Sequence, residues 1–424
     1  MPRALSATRT PKLDYPRLVF MPSWIKRVLA GLGRVPSPRA VAVVCLLALV
    51  QRLALSGVSH GSNDIETWAR FADYIVRYGL LRLYVLDAKF NHPPLMGLYS
   101  VLADQATVIF QVRFAVAFKI LPIVASVATI YLVQRIGHLK LIWLLLFAFN
   151  PLDTLVSAYH GNTDSMCAAF CVAAALFADF ELPWLSGFSL GAAMNVKLIP
   201  VVLIAPLFLS LKPRQMWKFA LALTLAAAPF VPIFLGPWAA FKRNAIDYNS
   251  SIARWGVGLL ISTLDGHLAA WQMPAHELSV KLGKPLILGS GLVLGLIQRR
   301  VRVFSCTELC ALVMACFLAF APGFGVQYLV YPVALLVASH ARGAFTYAYL
   351  AGFFAFLLYF GFLVDYSVPL VSHFRRLFDE RSVLAGFLTW LWLVRYIVRE
   401  VRSIPGRMRG ARVAPVAPVL EPEL

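Results

Sequence analysis

Between residues 41 and 399, apolar runs close to bilayer-crossing length follow one another almost without pause. Short clusters of Lys and Arg separate many of them. Within lipid every backbone N–H and C=O must be satisfied inside the chain, so such runs fold as helices. A full crossing takes ~20 apolar residues, and the short alternating strands of a membrane β-barrel are absent. Composition agrees: 60% of residues are hydrophobic and 14% charged, against about 25% charged in a soluble domain. The sequence predicts an all-α, polytopic transmembrane bundle without a soluble domain, which leaves no nucleic-acid partner to consider.

Charge orients the bundle. The net charge is +19, and Lys and Arg hold loops on the cytoplasmic side; attraction to anionic lipid or to a phosphate-bearing substrate is a second use for it. Residues 1–39 read as a basic cytoplasmic arm, 40–399 as the membrane domain and 400–424 as a basic, disordered cytoplasmic tail. Spans are expected near 41–57, 114–134, 141–158, 165–182, 184–196, 198–211, 216–235, 285–298, 303–321, 326–340, 344–364 and 383–399. That is about twelve crossings, an even number, as two cytoplasmic termini require. Segment 94–111 contains Asp104 and Gln105 and is expected in the interface or as a re-entrant helix. The irregular segments 58–93, 159–164, 237–284, 321–328 and 365–382 then share the outer face. The cysteines Cys45, Cys167, Cys171, Cys306, Cys310 and Cys316 lie in apolar runs without metal or redox spacing and read as reduced packing residues.

A bundle that gathers its irregular chain on one face places its site there. Asp64 stands just past the first span, in Ser59-His-Gly-Ser-Asn-Asp-Ile-Glu-Thr-Trp68. Trp68, Phe71, Ile75 and Tyr78 alternate at helical spacing with Arg70, Asp73 and Arg77, which predicts a helix along the membrane surface. Asp64 and Glu66 open that helix, so they are either functional or a cap and first-turn acid. The pair 184–196 and 198–211 is too short for two ordinary spans and reads as half-length helices meeting at Asn195-Val196-Lys197. An intramembrane lysine there is either functional or snorkelling. Arg52, inside the first span, has the same two readings. His160 and Asp164 either line a pocket or cap the helix beginning near Ser165. Asp64, Glu66, His92, His160 and Asp164 together offer a lesser possibility, an outer divalent-metal site, although no two have tight ligand spacing. Otherwise no cofactor is expected.

Asp64-Ile-Glu-Thr-Trp68 after the first span, followed by Pro93-Pro94-Leu95, resembles the first outer loop of the C-type glycosyltransferase superfamily. It is similar to the endoplasmic-reticulum glucosyltransferases of the N-glycan pathway, with His92 in place of a Tyr. His160-Gly161-Asn162-Thr163-Asp164 looks like a later turn of such chains. Lys197 with Pro200 and Pro206, and Val326-Gln327-Tyr328, are similar to features of bacterial and GPI-pathway mannosyltransferases. The resemblance implies inverting transfer of a hexose, mannose favoured, from a polyprenyl-phosphate donor to a lipid, glycan or protein acceptor. It implies Asp64 as general base, with Glu66, His92, His160, Asp164, Gln327 and Tyr328 about the substrates. Lys197, or else Arg52, would face the donor phosphate, and Tyr248, Arg254 and Trp255 would contact sugar or form an interfacial aromatic belt. A bacterial plasma membrane is favoured, with endoplasmic reticulum the alternative. The rival class is a transporter or flippase of lipid-linked saccharides, for which matched pairs of broken helices are expected; only one pair is present.

Overall fold

A computed structural model describes residues 31–248, 255–263, 269–323, 325–361 and 369–413. Arg254 and most of the expected basic arm lie outside these residues. Among the described residues the chain is all-α, with no strand. Each of the twelve apolar runs is helical in whole or large part among the described residues. Among the described residues, five helices are long and apolar enough, by length and composition, to cross a bilayer on their own: Pro38–Val58 (α1), Phe114–Gly137, Leu141–His160, Pro274–Val301 and Arg381–Arg409. A sixth arises if Pro213–Ala226 and Ala228–Leu235, bent by 44°, form one span. The other runs are cut short by residues that helices exclude, such as Pro200, Pro229 and Pro322.

After α1 come Asn63–Tyr78 (α2), Leu80–Leu86 (α3) and Pro94–Phe110 (α4). In α2 the residues Ile65, Trp68, Phe71, Ala72 and Ile75 are buried, while Arg77 pairs with Asp73 at 2.7 Å on the open side. Tyr78, expected on the buried face, is 49% exposed, at the helix end before Gly79. Helix α4, the segment expected at the interface, packs against α2 and against Phe114–Gly137 (α5). The chain then runs through Leu141–Ala148 (α6), one turn at Pro151–Thr154 and a π-helical segment, Leu155–His160.

Helix Asp164–Asp179 (α7) leads to Pro183–Val196 (α8), which packs on both α7 and Pro213–Ala226 (α9). The close approach of α8 to α9 is made by Gly187 and Gly191, four residues apart, as in small-residue membrane interfaces. A Cβ on Gly187 would lie 2.3 Å from the Phe219 carbonyl oxygen, and one on Gly191 2.4 Å from Ala226 Cβ. Cys306–Phe320 (α10) is buried on nearly every side and forms the centre of the bundle. All six cysteines are free thiols, five of them buried.

Three expected irregular segments are largely helical. The loop 237–284 contains Gly256–Thr263 and the start of the 33-residue helix Ala269–Val301. Residues 365–382 overlap the final helix Pro369–Val413 (α12), which follows Ala344–Gly361 (α11). That helix also makes residues 400–413 of the expected disordered tail helical. Polar residues and prolines disguise these stretches as loops; Pro274, Pro285 and Pro405 all sit inside helices.

Candidate active site

The segment after α1 is fastened to the turn after the π-helical segment. Ser59 Oγ donates to the Tyr159 carbonyl at 3.2 Å, and the Ser62 amide donates to the His160 carbonyl at 3.3 Å. Lys119 of α5, fully buried, donates to both the Ser59 carbonyl and Ser59 Oγ at 3.1 Å. Gly161 sits where these lengths of chain meet, at φ +74°. A Cβ there would lie 2.5 Å from Ile65 Cδ1 and 2.8 Å from Lys119 Cε, so the turn needs glycine for both its conformation and its space.

This fastening presents Asp64. The helix cap is Ser62, whose Oγ accepts from the Asp64 amide at 3.2 Å, so the Asp64 side chain is not spent on capping. Its Oδ2 accepts from Asn162 Nδ2 at 2.8 Å and lies 3.3 Å from His160 Nε2. The Asp64 side chain keeps 37% exposure, whereas that of His160 keeps 4%. Burial pushes the Asp64 carboxyl upward, but the hydrogen bond with His160 and the Lys197 ammonium beyond win and bring it down to about 2. His92 packs its ring 4.4 Å from Trp68. Burial, aided by Lys197, lowers its imidazole to about 3, so it is neutral at ordinary pH.

A second group lies beside the first. Lys197 stands at the break after α8, in extended conformation, before the 3₁₀ turn Ile199–Leu203. Its Nζ donates to Asp164 Oδ1 and Oδ2 at 2.8 and 2.7 Å and lies 4.8 Å above the Tyr328 ring. Asp164, fully buried at the start of α7, also accepts from the Tyr331 hydroxyl at 2.5 Å. Tyr328 is within electrostatic reach of Lys197, Asp164, Tyr248 and Asp64. The break at Lys197 is the one expected from the two short apolar runs, and Lys197, Asp164, Tyr328, His160 and His92 all gather about Asp64.

Other expected residues go elsewhere. Glu66 is 74% exposed and reaches only His60, at 3.8 Å. Gln327 lies in the 3₁₀ turn Val326–Val330, its side chain folded over Gly325. Arg52 is fully buried and engaged with Asp153 at 3.1 Å; Asp153 also accepts from Ser126 and, at 2.8 Å, from Ser165. Removing one partner of such a pair leaves a buried unpaired charge, so the guanidinium is committed to the bundle. Trp255 is buried, donating to the Leu318 carbonyl at 2.7 Å and stacking on Phe354. It belongs to the core rather than an interfacial belt. Among the described residues no three His, Cys, Asp or Glu side chains converge as metal ligands.

Sequence reasoning does not single out Asn162 or Lys119. The signal for Lys119 is present, a lone cation within Phe114-Ala-Val-Ala-Phe-Lys-Ile-Leu121, where an ionisable residue is a functional-site candidate. Asn162 carries no such mark, since its role depends on a partner 98 positions away.

Against known families, the model described as Glycosyltransferase family 87 matches residues 90–322, more than half of the chain. The matched region holds His92, Lys119, His160, Asn162, Asp164 and Lys197. No curated protein matches the chain.

Proposed function

The chain belongs to glycosyltransferase family 87, and on that premise we propose that it moves a hexose, with mannose favoured, from a polyprenyl-phosphate carrier to an acceptor hydroxyl. The reaction takes place on the non-cytoplasmic face of the membrane, a bacterial plasma membrane in this reading. Asp64 is the general base, and the transfer inverts the anomeric centre.

The observation that carries this reading is the Asp64 carboxylate, free of capping duty, partly open and held by Asn162 and His160. In the step, the bond from the anomeric carbon to the phosphate oxygen breaks as the acceptor oxygen bonds to that carbon. The acceptor proton passes to Asp64, and the polyprenyl phosphate departs with the electron pair. Sugar transfer of this kind passes through an oxocarbenium-like state. A phosphate leaving group needs no proton, so one carboxylate suffices. A carboxyl held near 2 is a weak base, and here a weak base is enough. Once the acceptor oxygen has bonded to carbon, its proton is strongly acidic and is given up late in the step.

Charge on the departing phosphate is met by Lys197. Two of its three donors go to Asp164, and the third remains for the phosphate. His92, neutral and packed on Trp68, stands within electrostatic reach of both Asp64 and Lys197.

Asp64→Asn tests the reading, because it keeps size and polarity but cannot take a proton. We expect transfer from polyprenyl-phosphate mannose to fall at least ~100-fold, the scale of a general base, with membrane expression unchanged. Transfer at the wild-type rate would leave Asp64 without a catalytic role.

A further inference from the structure

Two buried polar atoms behind Asp64, His160 Nδ1 and the hydroxyl of Tyr359, have no hydrogen-bond partner among the described residues. Each is costly to leave bare. They belong to rings in contact, with centroids 4.9 Å apart and planes tilted by 34°. Tyr359 lies near the end of α11, is fully buried and is within electrostatic reach of both Asp64 and Asp164. It lies outside the region matched by the family model.

What His160 does to Asp64 depends on which ring nitrogen holds the proton, and the Asp64 side leaves this open. Nε2 lies 3.3 Å from Asp64 Oδ2, to which it can donate, and also 3.3 Å from Asn162 Nδ2, from which it can accept. The other nitrogen decides. If Nδ1 accepts, the proton must sit on Nε2 and face the carboxylate. A phenol hydroxyl is the donor such a nitrogen requires, and the Tyr359 hydroxyl in turn requires an acceptor. The groups around this pair are Asp64 and Asn162 on the Nε2 side, Asp164 and Tyr159 about Tyr359, and His92 and Lys197 beyond Asp64.

We propose that Tyr359 is a positioning residue: its hydroxyl, through one ordered water, donates to His160 Nδ1 and fixes the tautomer whose Nε2–H holds the Asp64 carboxylate. The consequence for rate rests on the reading of Asp64 as base; the link between Tyr359 and His160 does not.

The test is a double-mutant cycle on the full-length purified protein: wild type, Tyr359→Phe, His160→Gln and the double variant. Gln has no tautomer to select, so Tyr359 has nothing to fix in that background. Two quantities are read, the melting temperature without substrate and the rate of transfer from polyprenyl-phosphate mannose. Tyr359→Phe should lower kcat by ~10-fold, a fraction of the loss of the base itself, with KM values within about twofold. In the His160→Gln background the same change should alter kcat by less than about twofold, and the melting shifts should likewise fail to add. Equal effects in both backgrounds, or a kcat unchanged by Tyr359→Phe, would overturn the proposal. Asp64→Asn is run in the same assay. If it transfers normally, the catalytic reading falls, while the melting-temperature cycle still decides whether Tyr359 and His160 are linked.

Discussion

A lysine ammonium has three protons to give, and two of those of Lys197 go to Asp164. That pairing separates the two readings of a membrane lysine. A snorkelling lysine sends its charge to water, whereas this one is turned inward to a fully buried carboxylate. As a phosphate contact acting through its point charge, Lys197→Arg should keep part of the activity and Lys197→Met should lose nearly all of it. The loss should show in donor KM, kcat or both, with acceptor KM steady. A fully active Lys197→Met protein would move the phosphate contact elsewhere. The pH profile supplies another check at this scale. Asp64, held near 2, is ionised throughout the physiological range, so its acid limb should lie below about pH 4, well under the upper part of the carboxylate range. His160 supplies the largest of the lowering influences, so His160→Gln should move that limb upward; a downward shift would contradict the assignment. Residues that gather in one place were legible where they break an apolar pattern, as at Asp64 and Lys197. Tyr359 was hidden because one more aromatic in Phe356-Leu-Leu-Tyr-Phe360 looks like packing, and only its unpartnered hydroxyl distinguishes it.

At the scale of elements, the apolar runs announced nearly every helix. The helix α2 was legible from spacing alone, because one face must be buried and the other not. Helix continuity was less legible. Pro274 and Pro285 read as loop signals, yet the chain runs helical from Ala269 to Val301, since neighbouring helices can shelter the groups a proline frees. The fastening of the segment after α1 to the turn at Tyr159–Asn162 was not legible at all, because nothing local marks contacts across about a hundred residues. The contact of α8 with α9 carries a prediction. Gly187 faces a carbonyl oxygen of rigid helix backbone, so Gly187→Ala should lower stability by ~1–3 kcal/mol, as overpacking does. Gly289 has open space beside it, and there Ala should be neutral or stabilising by ~0.5–1 kcal/mol. Thermal unfolding of the two variants in one detergent gives the comparison. Equal melting temperatures would show that α8 and α9 yield at this contact.

For the whole molecule the question is which way the site faces. By the basic clusters we expect the turn at Lys212 and Arg214 in the cytosol and the α2 loop outside. A single cysteine at Glu66, a position 74% exposed, should react with an impermeant thiol reagent added to intact cells. One at Arg214, also exposed, should react only after permeabilisation. Both belong in a background lacking the native six cysteines. The reverse pattern would place the site on the cytosolic face. The bundle itself was legible at this scale; the number of crossings is a separate question, because hydropathy counts apolar runs without distinguishing a span from half of one. The link between Asp64 and Asn162 also sets an order of assembly. The residues are 98 positions apart, so at synthesis rates of 5–20 residues per second the carboxylate waits roughly 5 to 20 s for its holder to emerge. Through that interval α2 has left the ribosome without its lock. A nascent chain halted before residue 160 should leave this loop open to protease, and one that has released α7 should protect it.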